Sequence, residues 1–375
     1  MHKNLLQQYF PMIRQRMEVE TIIQNNPKLN STFMGWTMEQ QNEFLDFCTG
    51  ERGVKILYDS FFKEVFNAEY SPQRLESLLS IILKQTVKII QALPSDSTRL
   101  ADETSLLSTD IVVELADHSI ANVEVQKIGY HFPGQRSACY SSDLLLRQYK
   151  RLRDEKKKKF TYKQMQKVYT IIFFEHSTQE FHAYPDKYLH YFKQKSDTGL
   201  KLELLQEYCF IPLDIFRKII QNKGVRTQCA TMLDAWLTFL TADEPEKIME
   251  LVEAFPEFQD MYRDIYELCR NIEGVMGMFS KELQELDKNT VEYMIDEMQN
   301  EINRKNAIIE ENHALLAEKD AQLMDKDAQL TDKERYIQQV NQLYSLLVKE
   351  NRLEELNRAV NDMSFRDILL NELKS

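Results

Sequence analysis

Residues 106–127 read LLSTDIVVELADHSIANVEVQK, and no other stretch restricts the fold as tightly. Two runs rich in β-branched residues, IVVEL and IANVEV, flank a turn-like ADHS, which predicts an antiparallel hairpin. Alternate residues on a strand share a face, so Asp110, Val112 and Glu114 point one way. On the second strand Glu124 and Gln126 share a face, and Val123 and Val125 point into the core. Paired positions in an antiparallel ladder carry numbers with a constant sum. A two- or four-residue loop centred between Asp117 and His118 gives 235 and sets Asp110 opposite Val125, on the wrong side from Glu124. A three-residue loop centred on Asp117 gives 234 and sets Asp110 opposite Glu124, and a single bulge shifts the parity in the same way. The carboxylates predict the odd loop or the bulge. Directly opposite side chains lie about 5 Å apart, so two carboxylates there repel unless a divalent cation lies between them. Oxygen-only ligands favour Mg2+ or Mn2+. The same residues also fit a half-wet strand on which polar residues simply alternate.

The flanking chain is patterned mostly for helix. PQRLESLLSIILKQTVKII places Leu75, Leu78, Leu79, Ile82 and Leu83 at helical spacing after Pro72. QRSACYSSDLLLRQYKRLRDEKKKKFTYKQMQ reads as a helix or two, KVYTIIFF as a strand, and EHSTQEFHAY as a turn into another strand. Helix, hairpin, helix, strand, strand makes a small α/β core. Beyond about residue 225 only short helices are patterned, separated by Pro245 and Pro256. The 9 Gly and 9 Pro in 375 residues fit long uninterrupted helices. Four stretches result: an N-terminal helical segment (1–50), an α/β core (51–225), a helical extension (226–290), and a long helix or coiled coil with its tail (291–375).

In that last stretch AEKDAQL, MDKDAQL and TDKERYI repeat every seven residues. Ile295, Ile302, Ile309, Leu316, Leu323, Leu330, Ile337 and Tyr344 fall on one line. The companion line, from Asn306 and His313 through Asp320, Asp327 and Glu334 to Asn341, is polar. Both lines must be apolar for a stable two-stranded coil, so this helix is expected to associate weakly with itself. Charge is segregated: ten Lys/Arg against two acids lie between Arg147 and Lys167, inside a chain of net charge −12. Such a basic stripe is where a phosphate backbone is met, or else a solvated helix end. Five scattered cysteines without a CxxC pair fit a reducing, cytoplasmic setting. No run approaches the roughly 18 apolar residues of a membrane span.

Helix, Asp at a strand start, then Glu-x-Lys/Gln on the next strand resembles the PD-(D/E)XK nuclease superfamily. From about residue 55 to 300 the chain more closely resembles the recombination-promoting nuclease / putative transposase family. The resemblance is carried by DSFFKEVF (59–66), RLESLLSIIL (74–83), TDIVVELADHSIANVEVQ (109–126), FPGQRSACYSSDLLLRQY (132–149) and YTIIFF (169–174). It implies a restriction-endonuclease-like α/β core, a mixed sheet flanked by helices, with an all-α extension, to which the heptad repeat adds the long C-terminal helix or coiled coil. It also implies that Asp110 and Glu124 hold Mg2+ or Mn2+ at a scissile phosphate, with Gln126 beside them. Glu76 could add a further acid, as in some superfamily members, or be a wet position on an amphipathic helix. Arg136 and Tyr140, spaced i,i+4, match family positions; Arg136 is then a phosphate clamp or a structural ion-pair partner.

Gln126 departs from the superfamily, where Lys is commoner. An amide orients water and donates to a phosphoryl oxygen, but it is no base near neutrality. Either a lysine elsewhere substitutes, with Lys163 and Lys167 as candidates, or water activation falls to the metal. Lys127 faces the opposite side of its strand. The expected function is a metal-dependent DNA endonuclease, cytoplasmic and without a membrane anchor, dimerising through its terminal helix. The alternative is a nuclease fold that no longer cuts and serves as a DNA-binding or scaffold module.

Overall fold

The computed structural model describes residues 3–94, 110–127, 133–223 and 231–372. Within them, side chains at 222–223, 285, 287–297 and 300, Ile295 among them, lie outside the description, as does Cys229. Contacts divide the chain into two units, residues 1–294 and 295–375.

The first unit is built on a six-stranded mixed sheet. Its strands are β1 (Ile89–Leu93), β2 (Ile111–Leu115), β3 (Ile120–Gln126), β4 (Val168–Phe174), β5 (His190–Phe192) and β6 (Gln206–Pro212), in the spatial order β1-β2-β3-β4-β6-β5. The β3–β4 and β4–β6 pairs are parallel and the others antiparallel. The restriction-endonuclease-like α/β arrangement expected from the sequence is therefore present. One expectation fails locally: EHSTQEFHAY does not return as a strand. Gln179–His182 is a short helix, and β5 pairs with β6 instead.

Alternation along the strands gives the sheet two unlike faces. Val113, Ala121, Val123, Ile171, Phe173 and Ile211 point into the main core, which they share with Phe44, Phe61, Trp236, Phe258 and Phe279 from surrounding helices. The N-terminal segment, the α/β part and the helical extension thus contribute to one core. The opposite face carries Asp110, Asn122, Glu124, Gln126 and Thr170, and near the hairpin turn Val112, Ile120 and Val168. Over it lies the Pro133–Lys156 helix, which joins β3 to the parallel β4. Its buried residues Ser137, Tyr140, Ser141, Leu144 and Gln148 recur at helical spacing.

Gln148 fastens this helix at its far end. The side chain donates to the His118 carbonyl (3.5 Å) and accepts from the Gln166 amide (2.8 Å). Gln148→Ala leaves the Gln166 N–H unpaired, and about 1–3 kcal/mol of stability should be lost. Urea unfolding followed by fluorescence reads this, because Trp36 and Trp236 both pack with the main core.

In the second unit the helix running to Lys349 ends at Asn351, whose φ is +61°. Helices Leu353–Asn361 and Met363–Glu372 then fold back, burying Leu343, Leu347, Ala359, Leu369 and Leu370. Tyr344, assigned from the sequence to the heptad line, packs in this cluster and donates to the Ala359 carbonyl. No helix among the described residues is long and apolar enough to cross a membrane.

Candidate active site

The register of the central hairpin fixes the site. Ile111 pairs with Val123 and Glu114 with Ile120, a constant sum of 234, so Asp110 continues the ladder opposite Glu124. Leu115 and Ser119 close a three-residue loop through a 2.9 Å bond that the Leu115 amide donates to the Ser119 carbonyl. Asp117 accepts from the Ser119 amide (3.0 Å), and His118 takes the left-handed conformation (φ +63°) that a three-residue hairpin requires.

Asp110 Oδ2 accepts from the Val125 amide at 2.8 Å, which turns the carboxylate over β3. A fifth of its side chain (20%) remains open to solvent, whereas Glu124 is only 4% exposed. Burial, with Asp59 adding to it against the pull of Lys63, lifts the Asp110 carboxyl to about 6. Burial and the charge of Asp110 push Glu124 up to about 8. Glu124 Oε2, both amide atoms of Gln126, both of Asn122 and the Thr170 hydroxyl are buried with no hydrogen-bond partner among the described residues. The nearby amides of Asn122 and Gln126 ease the Glu124 charge without completing a bond in good geometry.

The other end of the same strands is a useful control. Glu114 lies on the same face, and burial would raise it too. There, however, Gln91 (2.7 Å), His118 (2.9 Å) and Arg151 (3.0 Å) surround the carboxylate and hold it below the ordinary range. One acid is fully partnered and the other is not, on a single hairpin. Buried polar groups left without partners call for a water, an ion or a ligand.

The Asp59–Val65 helix supplies what sequence reasoning missed. Its Phe61, Phe62 and Val65 are buried in the core, leaving Asp59 and Lys63 together on another face. Lys63 Nζ lies 2.7 Å from Asp59 and 3.6 Å from Asp110 Oδ1. The Asp59 amide donates to the buried Glu282 (2.9 Å), which also pairs with Lys127; Lys127 sits 4.5 Å from the Tyr58 ring centre. Nothing in DSFFK marked this: an acid and a lysine at i,i+4 read as an ordinary helix pair.

Of the other residues singled out from the sequence, Arg136 and Tyr140 come to the site. Arg136 Nε donates to the Tyr140 hydroxyl (2.8 Å), and its charge favours ionised Glu124. Burial, then Glu124, raises Tyr140 to about 12. Glu76 is not brought there. It accepts from Lys88 (2.8 Å) and the Ile89 amide (2.9 Å), at the end of β1 that pairs with Leu115. Lys167 precedes β4 at the Ile120 end and is bound to Glu207 (2.7 Å), which Lys193 also holds. Lys163 is exposed on a turn of 3-10 helix before it.

Among the described residues no three His, Cys, Asp or Glu side chains gather as a closed metal cage. Two carboxylates with an amide oxygen suit Mg2+, which binds through one or two carboxylates and keeps waters and substrate oxygens. The buried, unpartnered Glu124 Oε2 and Gln126 Oε1 are oxygens of that kind, so the residues fit such an ion.

A family model described as PD-(D/E)XK nuclease family transposase matches residues 56–300 of the chain. No curated protein and no solved structure matches it.

Proposed function

Since the chain belongs to the PD-(D/E)XK nuclease family of transposases, we propose that it is a Mg2+- or Mn2+-dependent endonuclease that hydrolyses DNA phosphodiesters at Asp110 and Glu124. The observation that carries this reading is the pair itself: two carboxylates on neighbouring strands, both held above their ordinary range, beside buried polar atoms without partners. Asp110 and Glu124 would hold the cation. When bound, it offsets charge at phosphorus and lowers the pKa of a water. Gln126 orients that water through Oε1 and donates to a phosphoryl oxygen through Nε2. Lys63 supplies the positive charge that Gln126 lacks, and Arg136 grips a phosphate oxygen against the Tyr140 hydroxyl. The exposed lysines 156–159 and 163 are the surface for the flanking DNA backbone. Each site cuts one strand, so a double-strand break calls for two copies, joined through the long helix.

Supercoiled plasmid incubated with Mg2+, Mn2+ or EDTA tests the proposal: nicking should need the metal. DNA binding without nicking under all three conditions would favour the scaffold reading, which the burial of Glu124 and the missing strand lysine support. Lys63→Met should slow nicking by about a hundredfold, the usual effect of losing one preorganised donor. A rate within twofold of the parent would remove Lys63 from the mechanism.

A further inference from the structure

We propose that the C-terminal helix pairs with a second copy of itself in parallel and in register, through an apolar line bordered by charges of opposite sign. This rests on the self-association proposed above and adds its orientation. Ile302, Ile309, Leu316, Leu323, Leu330 and Ile337 form one line and are each 50–57% exposed. Three residues after Leu316, Leu323 and Leu330, the leucines of that line, about 50° to one side, stand Lys319, Lys326 and Lys333. Four residues after, about 50° to the other side, stand Asp320, Asp327 and Glu334.

These six charges have no use for one another within a single helix. Intrahelical pairs form at i±3 and i±4, and at those spacings each of the six meets only uncharged residues. None makes an ion pair among the described residues, although Glu301–Lys305 and Asp332–Arg335 do so on the same helix. Two-fold symmetry then decides the orientation. In a parallel pair each helix sets its lysine row against the partner's acidic row. In register, Lys319 meets Asp320, Lys326 meets Asp327 and Lys333 meets Glu334 at nearly the same height. An antiparallel pair faces lysines with lysines and acids with acids. Charge complementarity therefore selects the parallel arrangement, and the single apolar line keeps it reversible.

Single cysteines at Ile309 or Leu330, in the full chain carrying Cys139→Ser and Cys229→Ser, test this under mild oxidation. In a parallel, in-register pair both variants cross-link to themselves, since equivalent seam positions lie within disulfide reach. In an antiparallel pair at most the position at the dyad does so. A dimer in which only one variant or neither cross-links overturns the orientation. A monomer in sedimentation overturns self-association as well. Plasmid nicking is scored separately, so neither outcome bears on the nuclease reading. Lys319→Glu, Lys326→Glu and Lys333→Glu together should raise the dimer dissociation constant at least about tenfold. Adding Asp320→Lys, Asp327→Lys and Glu334→Lys should restore it; failure of that rescue overturns the row pairing.

Discussion

Alanine at Asp110 or at Glu124 should lower metal-dependent nicking by at least about a thousandfold, equivalent to roughly 4 kcal/mol of transition-state stabilisation. Each residue supplies an oxygen that no neighbour replaces. Asp59 is tied to Lys63, and Glu114 is enclosed by Gln91, His118 and Arg151. The loss should come without unfolding, because both carboxylates are held in surroundings that disfavour their charge. Plasmid nicking measured alongside thermal melting separates the two effects. Inactive variants that melt no lower than the parent support the assignment; variants that keep more than a tenth of the activity remove the pair from the chemistry.

Without divalent metal, the protein should lose stability as pH rises from about 5 to 8. Burial lifts Asp110 to about 6 and Glu124, with the charge of Asp110, to about 8, whereas the unfolded chain releases these protons near 4. Between those limits the folded state holds more protons than the unfolded, so each rise in pH favours unfolding. The penalty is absent below the unfolded values and complete above about 8. Scanning calorimetry in EDTA should show a Tm several degrees lower at pH 8 than at pH 5. Mg2+ or Mn2+ should restore it at pH 8, and Glu124→Gln should flatten the upper part of the profile. A Tm indifferent to both pH and metal would contradict the electrostatic account of the pair.

The sequence made the central hairpin legible because a period of two allows few registers. The carboxylates called for a sum of 234, and the three-residue loop delivers it. Strands β1 and β6 escaped notice. Ile89 and Ile90, the start of IIQAL, fall inside the stretch read as helix, which in the structure ends at Leu83, and QEYCFIP opens with polar residues that are only half-buried. Candidate site residues from the hairpin and the following helix could be proposed along the chain. Asp59 and Lys63 could not, since only the packing of Phe61, Phe62 and Val65 turns them toward β2. Lys167 went astray for the converse reason: it is close in sequence to β4, but at the wrong end, and Glu207 holds it.

The contrast between Glu114 and Glu124 has a thermodynamic consequence. The chain satisfies the first acid itself and leaves the second in want of company, so the free fold keeps in reserve an unfavourable energy that a suitable visitor relieves. Affinity at such a place is intrinsic instability handed over on binding. Any change that makes the resting protein more comfortable there should make it a poorer host.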